Sequence, residues 1–142
     1  MKSNVLASVL AVVLGLAGVG WLADVAVAQT SVVDDRKVEA DRLLQQGIQQ
    51  FQISQFEAAF PFWQQALTLY REIKDRQGEG KSLNALGNTY LVLGNYSKAI
   101  EFHEQSLAIS REIKDRSGEG KALGNQGSAY LSLSNYSGCL TS

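Results

Sequence analysis

Apolar side chains recur every three or four residues through most of the chain after residue 35, and this is the period of an amphipathic helix. The stripe is clearest at Leu83, Leu86, Gly87, Tyr90 and Leu93. Gly94-Asn95 interrupts it, and a second stripe then runs from Tyr96 to Ile113. Asn95 is a favourable N-cap for the second helix. The pattern therefore predicts two consecutive helices, at 77–93 and 95–114.

This pattern returns with a period of 40 residues. The segment REIKDR at 71–76 recurs at 111–116, and 18 of the 30 positions in 71–100 are identical in 111–140. Self-similarity at a fixed period of roughly 20 to 50 residues indicates a repeat protein. The ungapped alignment gives two full units, 36–75 and 76–115, and a shortened third, 116–142. The remaining helices are predicted at 36–52, 55–74 and 117–133.

Two features of the first unit bear on its second helix. Ser54-Gln55-Phe56-Glu57 matches a capping box, which predicts that Ser54 caps this helix. Pro61 falls inside the same helix, where a proline removes one hydrogen bond and costs about 3 kcal/mol. Because the alignment continues without a gap, we expect a kink between residues 57 and 61 rather than a break.

The first 28 residues have a different composition from the rest. Lys2 precedes an almost wholly apolar run from Val5 to Leu22, and Ala26-Val27-Ala28 fits a signal-peptidase site. We expect residues 1–28 to be a signal peptide and 29–35 a short linker, so that the folded part is exported to a periplasm or secreted. The alternative is that residues 5–22 remain as a membrane anchor, since 18 apolar residues are just enough to span a bilayer.

Composition excludes several classes of function. The net charge is −1 without a large basic patch, which argues against nucleic-acid binding. One cysteine and one histidine exclude a cysteine cluster and a two-histidine metal site. His103 takes the packing position of Trp63 in the repeat, and Cys139 takes the small-residue position of Ala59 and Ala99. Both are interpreted as packing residues, and we expect no catalytic residue, no cofactor and no enzyme.

The spacing of Leu83, Leu86-Gly87, Tyr90, Ala99 and His103 resembles the tetratricopeptide repeat. The resemblance implies an all-α fold, a right-handed α-α superhelix of antiparallel helix pairs. The usual period is about 34 residues, and the 40-residue period resembles the longer variety of bacterial multidomain scaffolds and kinesin light chains. We place the six extra residues in REIKDR, where they would lengthen the second helix by about 1.5 turns.

The resemblance also implies a partner, because the family binds proteins or peptides on a concave face lined by the first helix of each unit. The matching positions in this chain are Asp41, Leu44, Ile48, Lys81, Asn84, Asn88 and Lys121. Some relatives hold a carboxylate terminus there with Lys and Asn, as Lys121 and Asn88 could. Leu44 and Ile48 occupy the positions where the first unit would need Lys and Asn, so the clamp is incomplete. A plain solvated face is the alternative.

Two functional hypotheses follow. The first is an exported interaction module that binds a protein or peptide on its concave face. The second is a truncated N-terminal fragment of a larger protein, whose catalytic domain, for example a caspase-like protease, is missing. Residues 135–140 are also too few for a stable second helix in the third unit. We therefore expect an apolar C-terminal edge that self-associates or frays.

Overall fold

The computed structural model describes the backbone of residues 20–140 and the side chains of residues 28–137. Five α-helices follow one another in this part of the chain, which contains no strand. They are α1 (Gly20–Gln52), α2 (Phe56–Glu72), α3 (Arg76–Val92), α4 (Tyr96–Glu112) and α5 (Arg116–Leu140). The predicted starts and ends of α2, α3 and α4 agree with the observed ones within two residues. The all-α fold class is therefore confirmed.

The chain divides into two compact units, residues 1–35 and 36–142, although α1 runs through the boundary. Within the first unit, residues 20–35 are helical, and Ser31 Oγ donates a hydrogen bond to the carbonyl of Ala28 at 2.9 Å. The predicted start of the first helix at residue 36 is wrong, and the segment 29–35, expected as a linker, is helical. No glycine or proline lies between residues 21 and 46 to end the helix.

The call of a signal peptide at 1–28 falls mostly on residues 1–19, which lie outside the described residues. Among the helices that are described, none combines the length and the apolar character that a membrane span requires.

Three-residue turns join the helices of the second unit, and each turn contains one residue in the left-handed region. These residues are Ser54, Lys74, Gly94 and Lys114, with φ between 58° and 77°. At each turn the next residue donates a backbone hydrogen bond back to the helix, as Asp75 does to Tyr70 at 2.9 Å. This is the Schellman arrangement, which satisfies the last carbonyls of a helix. The residue after the left-handed one then begins the next helix as its N-cap.

Two predictions about these turns are wrong. Ser54 is not the N-cap of α2, because it is itself the left-handed residue and Gln55 is the N-cap without a side-chain hydrogen bond. The segment 71–76 does not lengthen the second helix either. Glu72 ends α2, Ile73 to Asp75 form the turn, and Arg76 begins α3. The helices α2, α3 and α4 each contain 17 residues.

The core of residues 36–142 is built where a glycine on one helix faces a large side chain on the next. The Trp63 indole covers Gly47, and its Nε1 donates to the carbonyl of Leu44 at 3.2 Å. In the second unit the His103 ring covers Gly87 in the same way. A Cβ added at Gly87 would lie 2.6 Å from His103 Cε1, so only glycine permits this separation of the helices.

The third unit departs from prediction after residue 133. The sequence predicts a helix at 117–133 and a separate short segment at 135–140, but α5 is one continuous helix to Leu140. Ser134 stands where Gly94 makes the turn in the second unit. Continuing the helix keeps the i to i−4 hydrogen bonds, and Tyr136 then contacts the Tyr96 ring at a centroid distance of 6.4 Å.

The helix α2 continues through Pro61, as expected. The kink near this residue stays a prediction.

Candidate functional site

A groove of about 210 Å³ lies between α3 and α5, with α4 forming its floor. We call it the Ser110 groove. Its walls are Gln77, Gly80, Lys81 and Asn84 from α3, and Asp115, Ser117, Gly118 and Lys121 from the start of α5. Its floor is Ser106, Ile109, Ser110 and Ile113. Three of the residues implied by the family resemblance, Lys81, Asn84 and Lys121, therefore come together in one groove.

The groove exists because of one difference between the repeats. In the first unit the corresponding position is Tyr70, whose buried ring packs against Gly78. The Tyr70 hydroxyl donates to Asp41 Oδ1 at 2.5 Å, and Lys37 Nζ lies 5.5 Å from the ring centroid. Ser110 replaces Tyr70 in the second unit, and Gly118 there faces the small Ser110 hydroxyl instead of a ring. The space that tyrosine fills in one unit is open in the next.

The groove presents two lysines from different units. No carboxylate among the described residues lies within ion-pair distance of Lys81 or Lys121, although both are exposed. The acidic member of the lining, Asp115, already accepts a hydrogen bond from the Gly118 N–H at 3.0 Å as the cap of α5. The two ammonium groups therefore give the groove a positive rim.

Asn84 has a structural role as well as a place in the lining. Its Oδ1 accepts a hydrogen bond from Asn125 Nδ2 at 3.0 Å and lies 3.2 Å from His103 Nδ1. One amide thus joins α3, α4 and α5. Because an amide oxygen only accepts, the hydrogen of the His103 ring is on Nδ1, and the buried Nε2 has no partner. Burial lowers the pKa of His103 to about 4, so the ring is neutral near pH 7.

The first-unit residues implied by the resemblance lie elsewhere. Leu44 is buried in the core and Ile48 packs against it, so both offer little surface to a ligand. Asp41 is exposed, but it accepts from Tyr70, and burial followed by this hydrogen bond raises the pKa of the Tyr70 phenol. Asn88 is half-buried on α3 and is not part of the groove lining.

Sequence reasoning missed the floor of the groove, above all Ser110 and Ser106. Ser106 Oγ donates to the carbonyl of Gly80 at 2.9 Å and holds α4 against α3. A signal for Ser110 was present in the repeat alignment, where a large aromatic residue in one unit faces a small polar one in the next. Such a replacement at a packing position indicates a cavity.

Ion pairs join the helix ends on the side of the turns, and we call this set the charge ladder. Arg36 Nη1 pairs with Glu72 at 3.0 Å, and Arg76 pairs with Glu112 in the equivalent position 40 residues later. The hydrogen bonds from Arg76 lower the pKa of Glu112. The REIKDR segment thus has a structural use, since it supplies one arginine and one glutamate to each step.

The steps of the ladder are linked between units by Glu79 and its counterpart Glu119. Arg71 Nε pairs with Glu79 at 2.8 Å, and Arg111 Nε pairs with Glu119 at 2.9 Å. A second cavity, of about 400 Å³, lies at the far step and is lined by Arg111, Lys114, Arg116 and Glu119.

No group of three metal-ligating side chains occurs among the residues described.

Comparison with known proteins identifies the repeat. A family model described as tetratricopeptide repeat matches residues 39–112 and 82–137, which together cover more than half of the chain. The chain belongs to the tetratricopeptide repeat family. The crystal structure of the tetratricopeptide-repeat domain of Arabidopsis FLU is similar, with a TM-score of 0.59 and 28% sequence identity. That match covers 75% of this chain and 98% of the FLU domain. A comparison with curated proteins gives no match.

Proposed function

We propose that this tetratricopeptide-repeat chain is a non-catalytic interaction module, and that it binds an acidic segment of a protein partner on the face lined by α3 and α5. The Ser110 groove receives one side chain of that segment. Tetratricopeptide-repeat domains generally serve as scaffolds that bind proteins, so the general part of this function follows from the family. The choice of face extends the concave-surface hypothesis of the sequence to the residues that line the groove.

The observation that carries the proposal is the replacement of Tyr70 by Ser110 beneath two lysines that lack carboxylate partners. A cavity in a repeat interface loses packing contacts, and this loss is offset where a ligand fills the space. The ammonium groups of Lys81 and Lys121 favour a carboxylate at the groove mouth. The hydroxyls of Ser106 and Ser110 add polar groups at its floor.

The test starts from peptides selected on the full chain from a displayed random library, with affinities measured by fluorescence anisotropy. We expect Asp and Glu to be enriched in the selected peptides. Ser110→Tyr should refill the groove as Tyr70 does, and should weaken binding by about tenfold or more. Lys81→Glu should also weaken it, whereas Lys98→Glu on the opposite part of α4 should not. Peptides that bind Ser110→Tyr and wild type equally would refute the groove as the site.

Export is a further part of the proposal. The positive start, apolar run and Ala-x-Ala site of residues 1–28 support a cleaved signal peptide. Expression in a bacterial host with N-terminal sequencing of the product tests it. We expect a mature chain that begins at Gln29. An intact N-terminus in a membrane fraction would instead support the anchor at residues 5–22.

A further inference from the structure

The face of α5 that points away from α4 differs from the equivalent face of α3 in one respect: no described segment covers it. Leu83 on α3 is 1% exposed, whereas its counterpart Leu123 on α5 is 45% exposed. A Cβ on Gly87 would collide with the His103 ring, whereas a Cβ on Gly127 would meet nothing within 4 Å. Gly80 and Gly120 differ in the same way, since only Gly80 has Ile109 nearby.

The residues that remain exposed are those that α4 covers in the second unit. Tyr90 stacks on Phe102 of α4 at a centroid distance of 5.3 Å, while the equivalent Tyr130 is 50% exposed. This set of exposed residues, Gly120, Leu123, Gly127 and Tyr130, is called the open face. Because α3 and α5 have the same residue at each of these positions, the α3–α4 packing shows which kind of helix fits the open face.

The charge ladder gives a second and independent indication. Arg76, the first residue of α3, pairs with Glu112, the last residue of α4. The equivalent residue of α5 is Arg116, whose side chain is 91% exposed and whose carboxylate neighbour is Glu119 at 3.5 Å. Arg116 therefore offers its guanidinium to a second carboxylate. An Arg at the start of α5 and a Glu at the end of the incoming helix require that helix to run antiparallel to α5.

We propose that the open face binds an amphipathic helix supplied by another protein, antiparallel to α5, with a Glu or Asp in its last turn for Arg116. The same helix places a large side chain against Gly127 and an aromatic ring against Tyr130. This inference concerns a different surface from the Ser110 groove and does not rest on the proposed function.

A second copy of this chain is the less suitable source of that helix. Among the described residues, α2 and α4 carry the matching pattern of small, aromatic and acidic positions, and both are already packed between neighbouring helices. A second copy would have to unfold to donate either one. A contiguous apolar face with a charged end is typical of a surface that binds a protein. The pattern of anchors three or four residues apart is that of a helix bound in a groove.

The probe is a synthetic peptide with the sequence 95–114 of this chain, because it carries the α4 face. Binding of the fluorescent peptide to the full chain is measured by anisotropy. We expect saturable binding. Gly127→Leu should block the space meant for the large side chain of the peptide and weaken binding by about tenfold. This variant should fold, since a Cβ at Gly127 meets nothing in the protein.

A charge exchange tests the orientation. Arg116→Glu should weaken binding of the peptide by about fivefold, and a peptide carrying Glu112→Arg should regain most of the loss on this variant. Lys81→Glu, in the Ser110 groove, is the matched control and should leave peptide binding unchanged. Light scattering of the protein alone over a concentration series measures self-association in parallel.

Three results would overturn the proposal. The first is the absence of saturable binding. The second is equal binding to wild type, Gly127→Leu and Arg116→Glu, because a peptide that merely displaced the resident α4 would behave in this way. The third is self-association of the wild type that Gly127→Leu abolishes, which would assign the open face to a second copy of the chain.

Discussion

At the residue scale, the separation of the helices depends on glycines that face large rings. We expect Gly87→Leu to destabilise the protein by roughly 1–3 kcal/mol, because the added side chain would overlap the buried His103 ring. Urea unfolding followed by circular dichroism measures the change in the free energy of unfolding.

Gly127→Leu provides the control at the equivalent position of α5. It should be neutral or stabilising by up to about 1 kcal/mol, since leucine favours a helix over glycine and nothing lies within 4 Å of the new Cβ. Equal destabilisation by the two variants would contradict the assignment of Gly87 to a tight helix crossing.

His103 makes the stability of the protein depend on pH. Its pKa is about 4 in the folded chain and near 6.5 when unfolded, because the fully buried ring loses its solvation. Below pH 6.5 the unfolded state therefore binds a proton that the folded state does not. The contribution of this group to stability is complete above pH 6.5 and is lost as the pH falls to about 4, by up to roughly 3 kcal/mol.

The matched variant is His103→Gln, which has a similar size and does not titrate. Urea unfolding from pH 4 to 7 should show a smaller pH dependence for this variant than for wild type. The remaining acid sensitivity below about pH 4.5 is expected from Glu112 and Glu119, whose pKa values are lowered by hydrogen bonds from Arg76 and Arg111. Identical slopes for both proteins between pH 4 and 6.5 would show that His103 is solvated.

The repeat alignment predicted that His103 is a packing residue, and this is confirmed by its complete burial. It did not predict the hydrogen bond between His103 and Asn84. In the first unit the corresponding pair is Trp63 and Leu44, where the ring nitrogen donates to a backbone carbonyl. Both members of the pair change together in the second unit, and a side-chain acceptor replaces the carbonyl. Position in the repeat was predictable, whereas the partner depends on a second substitution 19 residues away.

At the element scale, helix existence was predictable because the apolar period extends over whole helices. The turns were not, because their left-handed residue is glycine at one position and Ser54, Lys74 or Lys114 at the others. The tertiary packing of the following helix holds these residues in a conformation that they rarely adopt alone. The same dependence explains α5, in which Ser134 stays helical where no described helix follows to hold a turn.

Pro61 gives a prediction at this scale. It lies at the sixth position of α2, is exposed, and lacks the N–H that would donate to Glu57. Pro61→Glu should stabilise the protein by about 1–3 kcal/mol, because glutamate occupies the equivalent position 101 in α4 and restores the hydrogen bond. Thermal unfolding measures this effect.

The reverse exchange is the control. Glu101→Pro should destabilise by about 3 kcal/mol or more, since α4 contacts both α3 and α5 and tolerates a distortion less well. A neutral Pro61→Glu would show that α2 has adapted fully to its proline.

At the scale of the whole repeat array, each helix is stabilised by its neighbours, so burial depends on position in the array more than on sequence. The helices α3 and α5 show this directly, because Leu83 and Leu123 are the same residue in the same register and differ from 1% to 45% in exposure. The charge ladder has the same dependence, since Arg76 has two carboxylate partners and Arg116 has one, at a longer distance. Local sequence therefore predicted both helices but not their unequal surroundings.

Hydrogen exchange should show this inequality as a difference in local stability. The amides of residues 123–130 in α5 should exchange faster than those of 83–90 in α3, although the two segments share most of their apolar positions. The reason is that α3 is packed between α2 and α4, whereas only one of its faces is matched by contacts in α5. Native-state exchange with mass spectrometry resolves the two segments, and a concentration series separates intrinsic protection from association. Equal protection in both segments at every concentration would mean that the open face is covered within a single chain. Protection of 123–130 that rose with concentration would instead mean that a second copy covers it.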